Sequence, residues 1–320
     1  MFPFDNPIFC RLPDWTAIAV TGADATSFLH AQFTNDVAGL GLDATQYNGY
    51  CSPKGRILAS FPLTRTGLSD YLLVVPVDVA PALIKRLRMF VLRAKVTVES
   101  LAESHRCFGI AGAAAAFSAT GSDVRSPTGA VTLALPDGRR LAVCAAGDAE
   151  SAEETMQRDA KSADPSVWDW LSIIAGVPVI TALTQDMFVP QMLNWELLGG
   201  VSFQKGCYPG QEIVARMQYL GKLKARMYRA HVALAGGSAA ATSPVNALAA
   251  GQPLYGTLFG DQACGTIVNS AAAPAGGIDL LAVLQIASAE ADTIRIGRDP
   301  DAPAIELRSL PYAIPAPKAA

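Results

Sequence analysis

The residues best suited to chemistry lie in one octapeptide, Lys205-Gly206-Cys207-Tyr208-Pro209-Gly210-Gln211-Glu212. A cysteine beside a lysine and just ahead of a helix N-terminus is drawn toward its thiolate by the ammonium and by the partial positive charge of that terminus. The thiolate is the form that attacks electrophiles and binds soft metals. The alternative for Cys207 is a small buried core residue, and spacing alone does not separate the two. Gly206 and Gly210 supply backbone freedom, Pro209 suits a first helical turn, and Ile213, Val214 and Met217 give the following helix an apolar side. Gln211 and Glu212 open that helix, where they either hydrogen-bond a heterocycle edge or cap their own backbone.

The surrounding charge is uneven. Between Lys205 and Arg229 stand six basic residues (Lys205, Arg216, Lys222, Lys224, Arg226, Arg229) against the single acid Glu212, in a 320-residue chain of net charge −3. Such a field is either a solvated basic face or a seat for the anionic tail of a ligand. The overall acidity, with a pI near 5.7, argues against holding nucleic acid through a general excess of cations, so no direct nucleic-acid binding is expected. Six cysteines (Cys10, Cys51, Cys107, Cys144, Cys207, Cys264) without a C-x-x-C pair, and only three histidines, leave no protein-only metal site in view. The fingerprints of dinucleotide binding, the P-loop, zinc peptidases and α/β-hydrolases are absent.

Ala17 to Val20 reads as a strand, followed by a helix that Asp24 is placed to cap, with Ala25, Phe28 and Leu29 on one face. Arg56 to Arg65 and Tyr71 to Val77 are β-rich runs around a hairpin turn, Thr66 to Asp70. A helix follows with Pro81 in its first turn and Leu83, Ile84, Leu87, Phe90 and Val91 at helical spacing, then a strand from Lys95 to Val98. Pro136-Asp137-Gly138 marks a hairpin between Val131 to Leu135 and Arg139 to Ala145, ahead of a polar helix around Ala149 to Lys161. An apolar helix from Ser166 to Ala175 stops at Gly176, and the irregular stretch from Val177 to Gln204 is long for a compact domain. A Gly-, Ala- and Ser-rich stretch after Gly236 leads to short β-type runs at Gly256 to Phe259, Thr266 to Asn269, Leu280 to Ile286 and Thr293 to Ile296. Asn35-Asp36 reads as turn chemistry, and Cys51 to Arg56 as a polar loop. Trp15, before the first strand, and Trp168, on the apolar helix, each either pack in a core or offer a flat face to a ring.

The N-terminus carries no secretory pattern, and the longest apolar run, Val167 to Leu183, is broken by Asp169 and Pro178; a cytoplasmic protein without membrane contact is expected.

The run Val201 to Glu212 with Val214-Ala215-Arg216 resembles the signature of YgfZ-type folate-binding proteins, relatives of the tetrahydrofolate-dependent glycine-cleavage T-protein. Gly22-Ala23-Asp24 with Phe28-Leu29, Cys51 to Arg56, and Pro190-Gln191 with Asn194 follow in the order the resemblance expects. It implies an α+β, three-domain T-protein (aminomethyltransferase-like) fold with a C-terminal β-barrel. The domains implied are 1–48 with 163–230, a ferredoxin-like 49–162, and 231–320. It implies tetrahydrofolate or a derivative as cofactor, with Trp15, Trp168, Lys205, Gly206, Tyr208, Gln211, Glu212 and Arg216 as binding residues and Cys207 as the thiol or cluster-ligand candidate. It also implies an accessory role in iron–sulfur cluster assembly or repair that affects tRNA modification indirectly, with transient cluster contact and iron–sulfur enzymes or cluster carriers as partners. Cys207-Tyr208 stand where aminomethyltransferases carry an acidic and aromatic pair. The competing reading, a folate-dependent one-carbon transferase or demethylase, needs a carboxylate such as Asp36 or Asp78 in the site. A third, a protein-interaction scaffold, needs no reactive thiol.

Overall fold

A computed structural model describes residues 6–112, 130–233 and 248–315. The chain forms two compact units. The first comprises Met1–Pro53, Leu58–Pro165 and Gly199–Gln211; the second, Lys54–Ile57, Ser166–Leu198 and Glu212–Ala320. The division falls inside the octapeptide, between Gln211 and Glu212.

The first unit holds two five-stranded sheets. One orders strands β3 (Thr45–Cys51), β4 (Ile57–Arg65), β5 (Asp70–Pro76), β2 (Trp15–Thr21) and β6 (Thr97–Ser100) side by side. Helices α1 (Ala25–Gln32) and α2 (Ala80–Val91) close its core, Phe28 and Leu29 from the first and Leu83, Ile84 and Leu87 from the second meeting Ile18, Val20, Leu73, Val75 and Val98 of the strands. Alternation along each strand sends one set of side chains to this helical layer. The other sheet orders β10 (Lys161–Ser162), β1 (Ile8–Arg11), β7 (His105–Ala111), β9 (Arg140–Ala145) and β8 (Val131–Ala134). Helix α3 (Ala149–Gln157) joins its core through Ala149, Ala152 and Met156.

The second unit contains all but the first residue of α4 (Pro165–Ile174) and of α5 (Gln211–Tyr219), and a five-stranded antiparallel sheet ordered β12 (Pro253–Tyr255), β13 (Ala263–Ala272), β14 (Ile278–Gln285), β11 (Ala225–Val232), β15 (Glu306–Arg308), with α6 at Ile286–Ala291. Among the described residues no pair joins β12 to β15, so the sheet is open as described. Helix α4 ends where Gly176, at φ +66°, carries a left-handed turn that a side chain would resist. None of the described helices is long and apolar enough to cross a membrane.

Several expectations shift. Asp24 sits ahead of α1 but makes no side-chain cap; its Oδ2 accepts the Lys95 N–H at 2.8 Å, a tertiary bond that displaces the local one. Phe90 occupies an apolar helical position yet stays 45% exposed. The run at Gly256 to Phe259 is a 3-10 turn, Thr257–Phe259, with the strand just before it, and the last residue of the Leu280 to Ile286 run belongs to a helix. Around Thr293 to Ile296 only Arg295 bridges, to Tyr255 and Ala304. Cys51 ends β3 rather than opening a loop. The Gly-, Ala- and Ser-rich stretch after Gly236 lies outside the described residues up to Asn246-Ala247.

Candidate functional site

The chain reaches the octapeptide through a segment tied along its length to the end of α1. Thr34 is the hub: its Oγ1 donates to the Gly200 carbonyl at 2.6 Å and accepts the Gly49 N–H at 2.8 Å, while its carbonyl accepts the Ser202 N–H at 3.0 Å. Asn35 Nδ2 donates to the Gly199 and Tyr47 carbonyls at 2.7 and 2.8 Å. Lys205 completes the set by donating to the His30 carbonyl and, at 2.6 Å, to that of Phe33. The last carbonyls of a helix have no partner within it, so a cation placed there satisfies them and complements the negative end of the dipole. Asp36, a possible carboxylate for transfer chemistry, accepts the Gly39 N–H at 3.0 Å and pairs with His30 Nδ1 at 3.2 Å, which is turn chemistry.

Burial lowers the Lys205 pKa to about 8, with Asp36 and Cys207 pulling the other way. The ammonium therefore lies within electrostatic reach of the Cys207 thiol, which is exposed; the other five cysteines are buried. Tyr208 is buried 5.0 Å, ring centroid to ammonium, from Lys205. Burial, and then the Cys51 thiol, push the Tyr208 hydroxyl pKa up. The Gln211 N–H bonds the Tyr208 carbonyl at 3.2 Å across Pro209 and Gly210, whose φ is +80°. Proline second and a left-handed glycine third is the type II turn pattern. Helix α5 thus begins at Gln211, not at Pro209, and Cys207 precedes the turn rather than the helix itself. Gly206 needs no special φ: a Cβ there would meet only His30 Nε2, at 3.7 Å.

Trp15 is half-buried as the first residue of β2, opposite Pro76. Trp15, Lys205, Gly206, Cys207, Tyr208 and Gln211 belong to the first unit; Trp168, Glu212 and Arg216 belong to the second. Trp168 is buried at 2% exposure, whereas Glu212 and Arg216 are exposed on α5.

The second unit carries a polar cluster of its own. Arg226 Nη1 donates to Glu196 Oε1 at 2.8 Å, to Asn194 Oδ1 at 2.9 Å and to the Gln191 carbonyl at 3.2 Å. Gln191 Nε2 in turn donates to the Val214 carbonyl of α5 at 2.8 Å, and Asn194 Nδ2 to that of Met227 at 2.8 Å. Burial raises the Glu196 pKa against the opposing pull of Arg226. Gln191 Oε1 and Glu196 Oε2 are buried without a hydrogen-bond partner. Of the six basic residues between Lys205 and Arg229, three are occupied: Lys205 on helix carbonyls, Arg226 on Glu196, and Arg229 near Asp279 at 3.6 Å. Arg216, Lys222 and Lys224 remain exposed.

No family model matches the chain. A relative from Enterobacter sp. (strain 638), named tRNA-modifying protein YgfZ, is 30% identical across 98% of both chains. The chain belongs to the YgfZ family. A second YgfZ protein bearing that name, from Edwardsiella ictaluri, is 35% identical over 227 residues, covering 66% of this chain and 67% of its own. A third, from Sodalis glossinidius, is 29% identical over 95% and 92%. Among solved structures, the glycine cleavage system aminomethyltransferase T from Bartonella henselae superposes with a TM-score of 0.75 over 96% of this chain and 86% of its own, at 16% identity. At that identity the likeness shows that this YgfZ chain has the mixed α+β fold of the T-protein.

The sequence of this YgfZ family member showed Arg226 only as one of six cations; Glu196 and its pairing with Arg226 were missed. The available signal was an acid inside the apolar run Asn194-Trp195-Glu196-Leu197-Leu198, because a carboxylate at such a place needs a cation.

Proposed function

We propose that the protein is a tetrahydrofolate-binding accessory factor acting in the cytoplasm in iron–sulfur cluster assembly or repair, touching tRNA modification through the enzymes that depend on those clusters. One observation carries the reading: Cys207 is the exposed thiol of six cysteines and lies beside an ammonium fixed by two helix carbonyls. The curated relatives are named for tRNA modification. The reading also carries the three-part domain division given above and closure of the C-terminal sheet into a barrel.

The donor chemistry fits the cofactor. A reduced pterin presents amine and ring N–H donors, and Gln191 Oε1 and Glu196 Oε2 are buried acceptors lacking one. Exposed Arg216, Lys222 and Lys224 suit the carboxylates of its glutamate tail. Gln211 and Glu212 open α5 with the polar edges such a ring would meet. Trp15 offers part of an aromatic face; a ring reaching Trp168 displaces packing around a buried side chain. Lys205 serves by holding the backbone on which Cys207 is displayed, with the buried Tyr208 ring against its ammonium and Gly206 leaving open space before the thiol. When bound, tetrahydrofolate supplies a carrier for one-carbon units. One thiolate supplies one cluster ligand, so any iron–sulfur cluster is cargo shared with a carrier or recipient enzyme.

Tryptophan-fluorescence titration with tetrahydrofolate under anaerobic conditions tests this, on the parent and on Trp15→Phe, Trp168→Phe and Cys207→Ser. Saturable quenching that weakens in the tryptophan variants and survives Cys207→Ser is expected. Absence of binding by the well-folded parent removes the folate half of the reading and leaves the interaction scaffold.

A further inference from the structure

Helix α2 and the flank of the sheet it packs on enclose a groove of about 650 Å³ in the first unit, away from every residue assigned above except the neighbouring Trp15 strand. Its apolar lining is Val77, Ala80, Pro81, Ile84 and Met89, and the facing wall is Thr16, Ser100 and Ala102. The lining residues on α2 recur every three to four positions from Ala80 to Met89, so the groove follows the helix for about 14 Å.

Apolar surface continues past the groove. Met89, at the end of the lining, is 64% exposed, and after it Phe90 is 45% and Leu92 86% exposed. Leu92 also holds φ at +42°, a conformation that side chains resist, with its isobutyl group in solvent. A small molecule filling the groove would leave this extension uncovered, so the surface suits a longer ligand.

Charge selects the class of that ligand. From Lys85 to Lys95 there are five cations (Lys85, Arg86, Arg88, Arg93, Lys95) and no acid. Arg86 leans over the Tyr50 ring and Arg88 donates to the Val98 carbonyl, yet Lys85, Arg88, Arg93 and Lys95 are all exposed and none is in an ion pair among the described residues. Glu99 is exposed too, but strand alternation turns it to the face opposite Val98 and the helix, while exposed Asp78 and Glu103 adjoin the lining residues Val77 and Ala102, so the basic character belongs to the Lys85 to Lys95 part of the rim. A second copy of this face would bring two basic rims together, and a flat lipid surface would not enter a concave groove.

We infer that this groove docks an acidic amphipathic helix of a partner protein, apolar anchors at i, i+3, i+4 and i+7 in the groove and carboxylates on the α2 cations. The inference stands apart from the folate reading and does not need it.

The probe is a fluorescein-labelled peptide of about 18 residues with leucine at those positions and glutamate elsewhere, titrated by anisotropy with the full chain. Saturable binding is expected, weakened about tenfold or more by Met89→Glu with Leu92→Glu and weakened again at about 0.5 M salt. Both substitutions are at exposed positions, and circular dichroism with a melting curve confirms that the variant is folded. The inference is overturned if the parent does not bind the peptide, if a scrambled peptide of equal composition binds as tightly, or if the double variant binds unchanged. It is also overturned if phosphatidylserine vesicles displace the peptide, or if ultracentrifugation shows a dimer that the double variant dissolves.

Discussion

The stretch leading into the octapeptide and the stretch bracing the helix after it are held by unlike chemistry. Residues 199 to 205 are pinned by neutral hydrogen bonds to Thr34 and Asn35, and the one charge, Lys205, sits on helix carbonyls. Residues 191 to 196 are organised around a buried guanidinium and carboxylate, with acceptor oxygens left over. The first arrangement fixes a backbone so that an exposed thiol has a definite place. The second keeps unused hydrogen-bonding capacity in the interior, which is costly unless something else completes it.

Breaking the second arrangement is expected to have the largest effect. Arg226→Met strands the Glu196 carboxylate in the interior and should destabilise the protein by about 3–5 kcal/mol in a denaturant melt. Adding Glu196→Leu should recover much of that loss; if it does not, the pair is not the source. Thr34→Val comes next: it leaves the Gly49 N–H and the Gly200 carbonyl unpaired in a fully buried place, at about 2–3 kcal/mol. Gln191→Leu sharpens the contrast. It removes a donor to a helix carbonyl together with an orphan oxygen, so the net change should stay under about 1 kcal/mol, unless tetrahydrofolate binding is measured, where the loss should be clear.

Lys205 gives a pH signature. Its folded pKa, about 8, lies below the ordinary lysine value, so between the two the unfolded chain holds the extra proton and stability rises with pH. Urea melts at pH 8 and pH 10 should therefore favour the parent over Lys205→Met more at the higher pH. Because the ammonium is partly exposed, the gain is no more than about 1 kcal/mol. The smallest effect is chemical: Lys205→Met should slow alkylation of Cys207 by iodoacetamide at pH 7 by about two- to threefold. An unchanged rate would leave Lys205 as a helix staple alone.

Local chemistry was legible wherever a residue answers to its neighbours in sequence. The Pro136-Asp137-Gly138 turn, the stop at Gly176 and the irregular course of 177 to 204 needed only backbone preferences. Strands β1 and β3 were hidden: β1 has four residues, and β3 carries Gln46, Asn48 and Gly49, which spoil alternation although Asn48 is fully buried. Asp24 answered to Lys95 instead of to its own helix, and Lys205 to carbonyls of His30 and Phe33 instead of to a ligand tail. In the octapeptide, the backbone freedom supplied at Gly210 was readable from sequence; the exposure of Cys207, the burial of Tyr208 and the division of the basic residues into occupied and exposed were not, because they depend on partners far along the chain.

The Lys205 staple spans 175 and 172 residues. During synthesis, the carbonyl end of α1 waits for a cation that has not yet been made, and water serves it until then. Long-range closures of this kind form late in folding and slow it. Lys205 is a sequence neighbour of the thiol from the start, but its ammonium would be fixed on the end of α1, and the thiol given a definite place, only once most of the chain has emerged.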